Sequence, residues 1–166
     1  MAIPIEVEGI LDELAGMPAH LEAAARSMDD QRARTPAPAG GFSLVEQAWH
    51  LADLEREGYG ERIRRLLAET DPLLPDFDGA RVAAERDYRA RSLAEGIAAF
   101  AAARAANLAV LRTVAPPAWD RGGRQEGVGR VTLRDIPRRM REHDLSHRDE
   151  IAALLTGTPP PKPTWA

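Results

Sequence analysis

Three helix-start signals constrain this chain more than any other feature. Ser43 and Ser92 are each followed three residues later by a glutamate, and Thr132 is followed at the same spacing by Asp135. At this spacing the two side chains satisfy free N–H groups of a first helical turn from both directions. Each signal precedes a segment of helical periodicity, and no segment alternates in the way that is typical of strands. The sequence therefore predicts an all-α fold without strands.

Apolar residues at three- and four-residue steps predict four helices. Gly16 and Pro18 interrupt the first, so we expect a kink or a break there. Pro137 leaves open whether the fourth begins at its threonine signal or nearer Ile136. The four helices cover residues 6–29, 44–68, 93–114 and 132–155.

Four helices of this length predict a four-helix bundle. Residues 73–90 form a long connection, with a helical turn expected near residues 81–88. That connection is long enough for a crossover, which lets the second and third helices run parallel. Residues 1–158 are expected to form this one domain, and the proline-rich residues 159–166 an extended tail on its surface.

Composition narrows the classes of function. The 166 residues are 44% hydrophobic and 29% charged, the balance of an ordinary globular domain. No cysteine is present, which excludes disulfides, cysteine-ligated zinc and a cysteine nucleophile. The net charge of −4 argues against binding of nucleic acid. No apolar run is long enough for a membrane span and no signal peptide is evident, so we predict a cytoplasmic protein that binds no membrane.

The most informative local feature is the motif His143-Asp-Leu-Ser-His147. Residues four apart share a helix face, so both imidazoles can reach one ion. Both histidines also lie on the apolar stripe of their helix, where unpaired polar rings need partners. Two interpretations are equally open from this motif alone: a metal-ligating pair, or two hydrogen-bonded histidines in the core.

A third ligand has to come from His20 or His50. On a helical wheel, His50 lies away from the apolar centre at Leu44 and Leu51, which predicts an exposed side chain. The apolar arc of this helix is nevertheless wider than one bundle face needs. A partner subunit is therefore expected to cover its second side. His20 has no partner motif and is interpreted as a structural or surface residue.

Five ordered segments of the chain form a pattern: residues 42–55, 62–63, 119–121, 129–133 and 143–147. This pattern resembles the DinB-like superfamily, which includes damage-inducible bacterial proteins, metal-dependent hydrolase-like proteins and low-molecular-weight-thiol transferases. The resemblance extends over residues 8–156. Its strongest element is one histidine early in the second helix followed by the H-x-x-x-H pair in the fourth.

The resemblance implies a four-helix bundle in which His50, His143 and His147 bind a divalent ion, and it implies a homodimer. Three imidazoles suit zinc, nickel or iron. Three protein ligands leave positions open for water or a small-molecule substrate, which is typical of a catalytic site. The function expected is that of a metal-dependent hydrolase or a transferase that uses a low-molecular-weight thiol. The alternative is a non-catalytic, stress-associated bundle with structural histidines.

Several other polar residues have plainer interpretations. Asp144 can orient an imidazole, but an exposed carboxylate is favoured. Asp53 and Glu57 either approach the metal or are solvated, and the capping box explains Glu46. The glycine- and arginine-rich residues 122–130 lack the Gly-Lys-Ser/Thr of a phosphate-binding loop.

Overall fold

The computed structural model describes residues 3–159 of the chain, so all but the first residue of the predicted tail lies outside the described residues. Helices form most of this part. In chain order the elements are α1 (Ile5–Ala15), α2 (Met17–Arg26), α3 (Asp30–Ala33), α4 (Leu44–Asp53), a π-helical segment (Leu54–Gly60), α5 (Glu61–Ala68), β1 (Leu73–Leu74), α6 (Gly79–Glu85), a 3-10 turn (Tyr88–Ala90), α7 (Leu93–Arg112), a second 3-10 turn (Pro116–Asp120), β2 (Gly122–Gln125), β3 (Gly129–Thr132) and α8 (Asp135–Thr156).

Four long helical units build the predicted bundle: α1 with α2, α4 with the π segment and α5, α7, and α8. The break expected in the first unit lies at Gly16. The second unit keeps its predicted limits, but it is not a continuous α-helix because the π segment interrupts it. Short helical turns also occupy the long connection before α7, as expected.

The second and third units run parallel, which confirms the crossover. Near their N-terminal ends the Trp49 indole N–H donates to the Ser92 carbonyl over 2.9 Å. Further along both helices the Arg104 guanidinium donates to Glu55 over 3.0 Å. The fourth unit runs in the opposite direction to the second, since Gln47 near the start of α4 bonds to Glu150 near the end of α8.

The prediction that the chain contains no strand is wrong. β1 pairs in parallel with β2, Leu73 opposite Arg124, and β2 pairs antiparallel with β3, Gly122 opposite Thr132. Strands of two to four residues are too short to show alternation in a sequence, and glycine and arginine supply most of β2. A Cβ at Gly123 would lie 2.5 Å from the Pro72 carbonyl oxygen, so β2 needs glycine there to approach its neighbour.

The sheet also changes where the fourth helix begins. Thr132 ends β3, and its N–H and hydroxyl both donate to the Asp135 carboxylate over 2.9 Å. This carboxylate therefore joins the strand to the helix instead of closing a capping box at Thr132. α8 begins at Asp135, near the later of the two expected starts.

The apolar core consists of two clusters separated by a polar layer. On α7, Leu108 belongs to one cluster and Phe100 to the other, with Arg104 between them. On α8, Met140 and Ile151 are divided in the same way. The residues of α8 between them include both histidines of the H-x-x-x-H motif. The polar layer therefore crosses the middle of the bundle.

Among the described residues, α7 is the one helix whose length and apolar composition would allow a membrane span: it has 20 residues, and an 18-residue window within it has a mean hydropathy of 1.3. Core helices of soluble proteins meet the same criterion. Arg104 in the middle of α7 is buried and ion-paired inside the bundle. Length and composition are therefore weak evidence that α7 spans a membrane.

Candidate metal centre

Three histidines meet in the polar layer. One ring nitrogen of each of His50, His143 and His147 lies within 4.8 Å of those of the other two. The Nε2 atoms of His143 and His147 are 3.1 Å apart. The ring centroid of His50 is 5.5 Å from that of His143 and 5.1 Å from that of His147. The two helices α4 and α8 thus bring together the three residues that the family resemblance implies as ligands.

The wheel-based prediction that His50 is exposed is wrong, because only 8% of it is accessible. Parts of the chain outside the bundle helices cover its ring: the Phe42 ring centroid is 5.2 Å away and that of Phe77 6.3 Å. A Cβ at Gly79 would lie 2.6 Å from His50 Cε1, so the first residue of α6 packs directly on the imidazole. A wheel describes one isolated helix and contains no information about such coverage.

Burial keeps all three imidazoles neutral at neutral pH. It lowers the pKa of His50 to about 4, although the Asp53 carboxylate opposes this shift. Burial, together with the His50 ring and the Arg104 and Arg62 charges, lowers the pKa of His143 to about 3. The pKa of His147 is lowered in the same direction by burial. Neutral imidazoles have the free lone pairs that metal binding requires.

Gln47 and Glu150 set the orientation of His147. The His147 Nδ1–H donates to Gln47 Oε1, and Gln47 Nε2 donates to Glu150 Oε2 over 2.6 Å. With its proton on Nδ1, His147 presents the Nε2 lone pair to the other two histidines. Such outer hydrogen bonds fix the tautomer and the ring orientation of histidine ligands in metal sites.

The histidine cluster fits a divalent ion. Two imidazole nitrogens that bind one tetrahedral ion at about 2.0–2.1 Å lie roughly 3.3 Å apart, close to the His143–His147 separation. His50 Nδ1 is buried and has no hydrogen-bond partner among residues 3–159. This nitrogen lies on the side of the ring that packs against Gly79, so its missing hydrogen bond is a cost that the fold retains.

A cleft of about 600 Å³ opens onto this cluster. The loop before α4 and the last turns of α8 form its walls, while Gln47, His50 and His147 lie at its base. Glu150 is the acidic residue among those lining it. The other lining residues are mostly small or apolar: Ala37, Pro38, Ala39, Gly40, Gly41, Phe42, Ala153, Leu154, Gly157, Thr158 and Pro159.

The structure corrects two of the other expectations. Asp144 is buried rather than exposed, and both its oxygens accept hydrogen bonds from the Arg104 guanidinium, over 2.7 and 2.9 Å. Asp53 is neither part of the histidine cluster nor solvated. It is buried and pairs with Arg56 and Arg86. On a helical wheel, Asp144 and Asp53 each lie at the edge of the apolar face. They are buried because α7 packs on the first and the connection that carries Arg86 packs on the second.

The plainer interpretations hold at the remaining positions. The Ser43 and Glu46 side chains form the expected capping box. Glu57 forms an ion pair with Arg86 rather than approaching the histidines. His20 lies on α2, half-buried and outside the cluster.

The apolar side of α4 that was expected to meet a partner subunit is covered within the chain. Trp49 is 5% exposed, and the Arg91 guanidinium stacks 3.3 Å from its ring centroid. Gly96 of α7 lets this ring approach, since a Cβ there would lie 2.9 Å from the indole nitrogen. This surface therefore no longer supports a homodimer, which stays a prediction from the family resemblance.

Sequence reasoning missed the residues that support the histidines. Gln47 lies three residues before His50 and Glu150 three residues after His147. That spacing places each of them on the face of its histidine neighbour, a signal that was available. The covering residues Phe77 and Gly79 belong to a connection without periodicity, and nothing in the sequence marks them.

The four-helix topology and the histidine set can now be compared with known proteins. The sequence profile of the DinB superfamily matches residues 13–151, most of the chain. The chain belongs to the DinB superfamily. No curated protein matches its sequence.

One solved structure with a similar fold is YfiT from Bacillus subtilis, described as "a probable metal-dependent hydrolase with an unusual four-helix bundle topology". The TM-score is 0.83 at 24% identity, and the alignment covers 92% of this chain and 88% of YfiT. This similarity confirms the predicted four-helix bundle. At this level of identity it shows the fold alone.

Proposed function

We propose that this DinB-superfamily protein is a metal-dependent hydrolase that binds one divalent ion through His50, His143 and His147. The observation that carries the proposal is the convergence of three neutral imidazoles, two of which, His50 and His147, line an open cleft. Three protein ligands leave coordination positions free, as in catalytic rather than structural sites. YfiT, which has the same fold, is described as a probable metal-dependent hydrolase, and this supports the same chemistry here.

When bound, the ion supplies Lewis acidity, which polarises a carbonyl or phosphoryl bond and acidifies water. Gln47 holds His147 in the tautomer that binds metal. Glu150 accepts a proton from water in the cleft, because it lines the cleft and its side chain is 40% exposed. Phe42 and Phe77 shield one side of the cluster from bulk water.

The substrate of this hydrolase is a small molecule with an apolar portion. A volume of about 600 Å³ with mostly small and apolar walls suits such a ligand. Zinc, nickel and iron all accept three imidazoles, so any of them is proposed as the ion. A low-molecular-weight thiol also fits the cleft. The chain contains no cysteine, so any thiolate at the ion would come from a cosubstrate.

A homodimer and a cytoplasmic location complete the proposal. The homodimer is supported by the family resemblance and by the frequency of symmetric dimers among soluble oligomers. Light scattering at micromolar concentration checks it: a particle of twice 18.1 kDa is expected, and a stable monomer contradicts it.

Metal analysis of the purified, untagged protein tests the function. We expect about one divalent ion per chain, affinity that falls on acidification, and loss of tight binding in His147→Ala. His20→Ala is the matched control and should keep wild-type affinity. Equal loss from both substitutions would contradict the assignment.

Turnover is tested on the metal-loaded protein with a panel of esters, amides and phosphoesters, each with and without added thiol. Glu150→Gln should lower turnover by roughly 10²–10⁴-fold while the ion stays bound. Turnover only in the presence of thiol would favour the transferase. Tight metal binding with no turnover, and no binding of thiols or hydrolase inhibitors, would favour the non-catalytic bundle.

A further inference from the structure

Two arginines from different helices lie beside the histidine cluster, away from the cleft. Arg139 of α8 precedes His143 by one helical turn, so both lie on the same helix face. The Arg62 guanidinium of α5 stacks 5.5 Å from the Tyr59 ring centroid, and that ring is 6.2 Å from the His143 ring. The Tyr59 hydroxyl donates to the Arg139 carbonyl over 3.5 Å. Tyr59 thus links both arginines to His143.

Neither guanidinium has a partner for its Nε–H among residues 3–159, although both Nε atoms are buried. Arg62 as a whole is only 6% exposed. Neither arginine forms an ion pair with a described carboxylate, whereas the buried Arg104 pairs with two. A buried, unpaired charge is among the most unfavourable features that a fold can contain.

Arg62 and Arg139 lie close enough for their charges to interact. Burial is the main cause that lowers the pKa of Arg62, and the Arg139 charge lowers it further, whereas Tyr59 and Asp76 raise it. Tyr59 is neutral at physiological pH, because burial raises its pKa well above the ordinary value. Asp76 is exposed and forms no ion pair with Arg62. Two like charges, a buried Arg62 and a half-buried Arg139, therefore lie near each other, and neither forms an ion pair with a described carboxylate. Asp135 acts on Arg139 only at longer range and pairs with Arg138 instead.

We propose that Arg62 and Arg139 form an anion-binding site beside the histidine cluster, which takes the carboxylate or phosphate group of a small molecule. Guanidinium groups have the fork of N–H donors that matches both of these anions. The site is distinct from the cleft, whose lining contains neither arginine. Anion binding there requires no metal. If the proposed hydrolase is correct, the charged group of a substrate or effector is its natural occupant.

Anion titration of the metal-free protein tests the site. Inorganic phosphate and acetate are added separately in a buffer with chelator, at an ionic strength held constant with sodium chloride. Binding is followed by calorimetry and by thermal unfolding. We expect saturable binding of at least one of the two anions, and the stronger response identifies the preferred group. Arg62→Met and Arg139→Gln should each weaken this binding by at least tenfold.

Arg138→Gln is the matched control, since Arg138 is the exposed neighbour of Arg139 and pairs with Asp135. It should bind the anion as the wild type does. His143→Ala should also keep anion binding, which separates this site from the proposed metal centre. If the wild type and all variants respond equally, or the wild type binds neither anion, the proposal is wrong.

The sign of the stability change gives a second test. In buffer without phosphate or carboxylates, Arg62→Met removes an unpaired buried charge, so its Tm should equal or exceed that of the wild type. A structural arginine would instead lower Tm on removal. If Arg62→Met does not fold, that failure contradicts this expectation, and the half-buried Arg139→Gln still decides anion binding.

Discussion

The two halves of the polar layer show how differently a bundle can treat buried polar groups. On one side of α8, Asp144 pairs with Arg104, which also pairs with Glu55 and donates to the Leu14 carbonyl over 2.9 Å. Asn107 adds hydrogen bonds to the Glu55 carboxylate and carbonyl. On the other side, the histidine cluster has an unpaired nitrogen and opens onto a cleft. The first half is closed and satisfied, and the second is not.

This difference indicates which half serves stability and which serves a ligand. In the closed half, every charge lies beside an opposite charge, so removing one partner strands another. In the open half, the three histidines lie together without an ion pair, an arrangement that suits a ligand from outside the chain. The π segment contributes Glu55 to the closed half, where Asn107 bonds to the carbonyl of that residue, and Tyr59 to the side of His143. Substitutions in the two halves should therefore affect different measurements.

The largest effect is expected from Asp144→Ala. It leaves the buried Arg104 with one carboxylate instead of two, and we expect a loss of about 3–5 kcal/mol in the free energy of unfolding. Urea unfolding of the metal-free protein measures it. Asp149→Ala, an exposed carboxylate on the same helix, should change stability by less than about 0.5 kcal/mol. Equal stability of the two variants would contradict the division of the layer.

Acidification should weaken the open half. Burial lowers the pKa of His50 from 6.5 in the unfolded chain to about 4, so the folded chain binds fewer protons than the unfolded one. Its contribution to stability is therefore complete above pH 6.5 and is lost as pH falls toward 4, by roughly 3 kcal/mol at that pH. Unfolding of the metal-free protein across this range measures the slope. In His50→Gln, stability should depend less steeply on pH. An unchanged dependence would contradict the conclusion that His50 causes it.

Gln47→Ala separates metal affinity from stability. It removes the acceptor that fixes the His147 tautomer, and we expect metal affinity to fall by about 10–100-fold. Competition with a chromogenic chelator measures this affinity. Glu46→Ala, at the neighbouring position in the capping box, is the control: it should lower stability by about 1 kcal/mol without changing metal affinity. If Gln47→Ala lowers stability without changing metal affinity, Gln47 belongs to the closed half instead.

The smallest effect is expected from Gly79→Ala. The new Cβ would overlap the His50 ring, so the ring must move, and we expect metal affinity to fall by about tenfold. Gly9→Ala on α1 has no atom within 4 Å of its new Cβ and should leave affinity unchanged. The same chelator competition compares the two. If Gly79→Ala retains full affinity, close packing on His50 is not needed to position it.

The helical framework was predictable from the sequence because its signals are local. The Ser43 and Ser92 hydroxyls accept the N–H bonds that their spacing predicted, and Gly157 ends α8 in the left-handed conformation. The H-x-x-x-H spacing likewise places His143 and His147 on one face. These relations join residues no more than four apart, so periodicity and capping determine them.

Only the tertiary structure decided what surrounds these histidines. His50 is buried by residues of a connection about thirty positions later in the chain, and His147 is oriented by a glutamine 100 positions earlier. Asp144 becomes a buried ion pair because α7 presents Arg104 to it. The sheet forms because β1 and β2, about fifty residues apart, pair across the crossover. Burial and pairing are properties of contacts between distant segments, and no local pattern records them. The sequence alone therefore determines the helices and the histidine spacing. Packing determines which polar groups are satisfied and which remain open to a ligand.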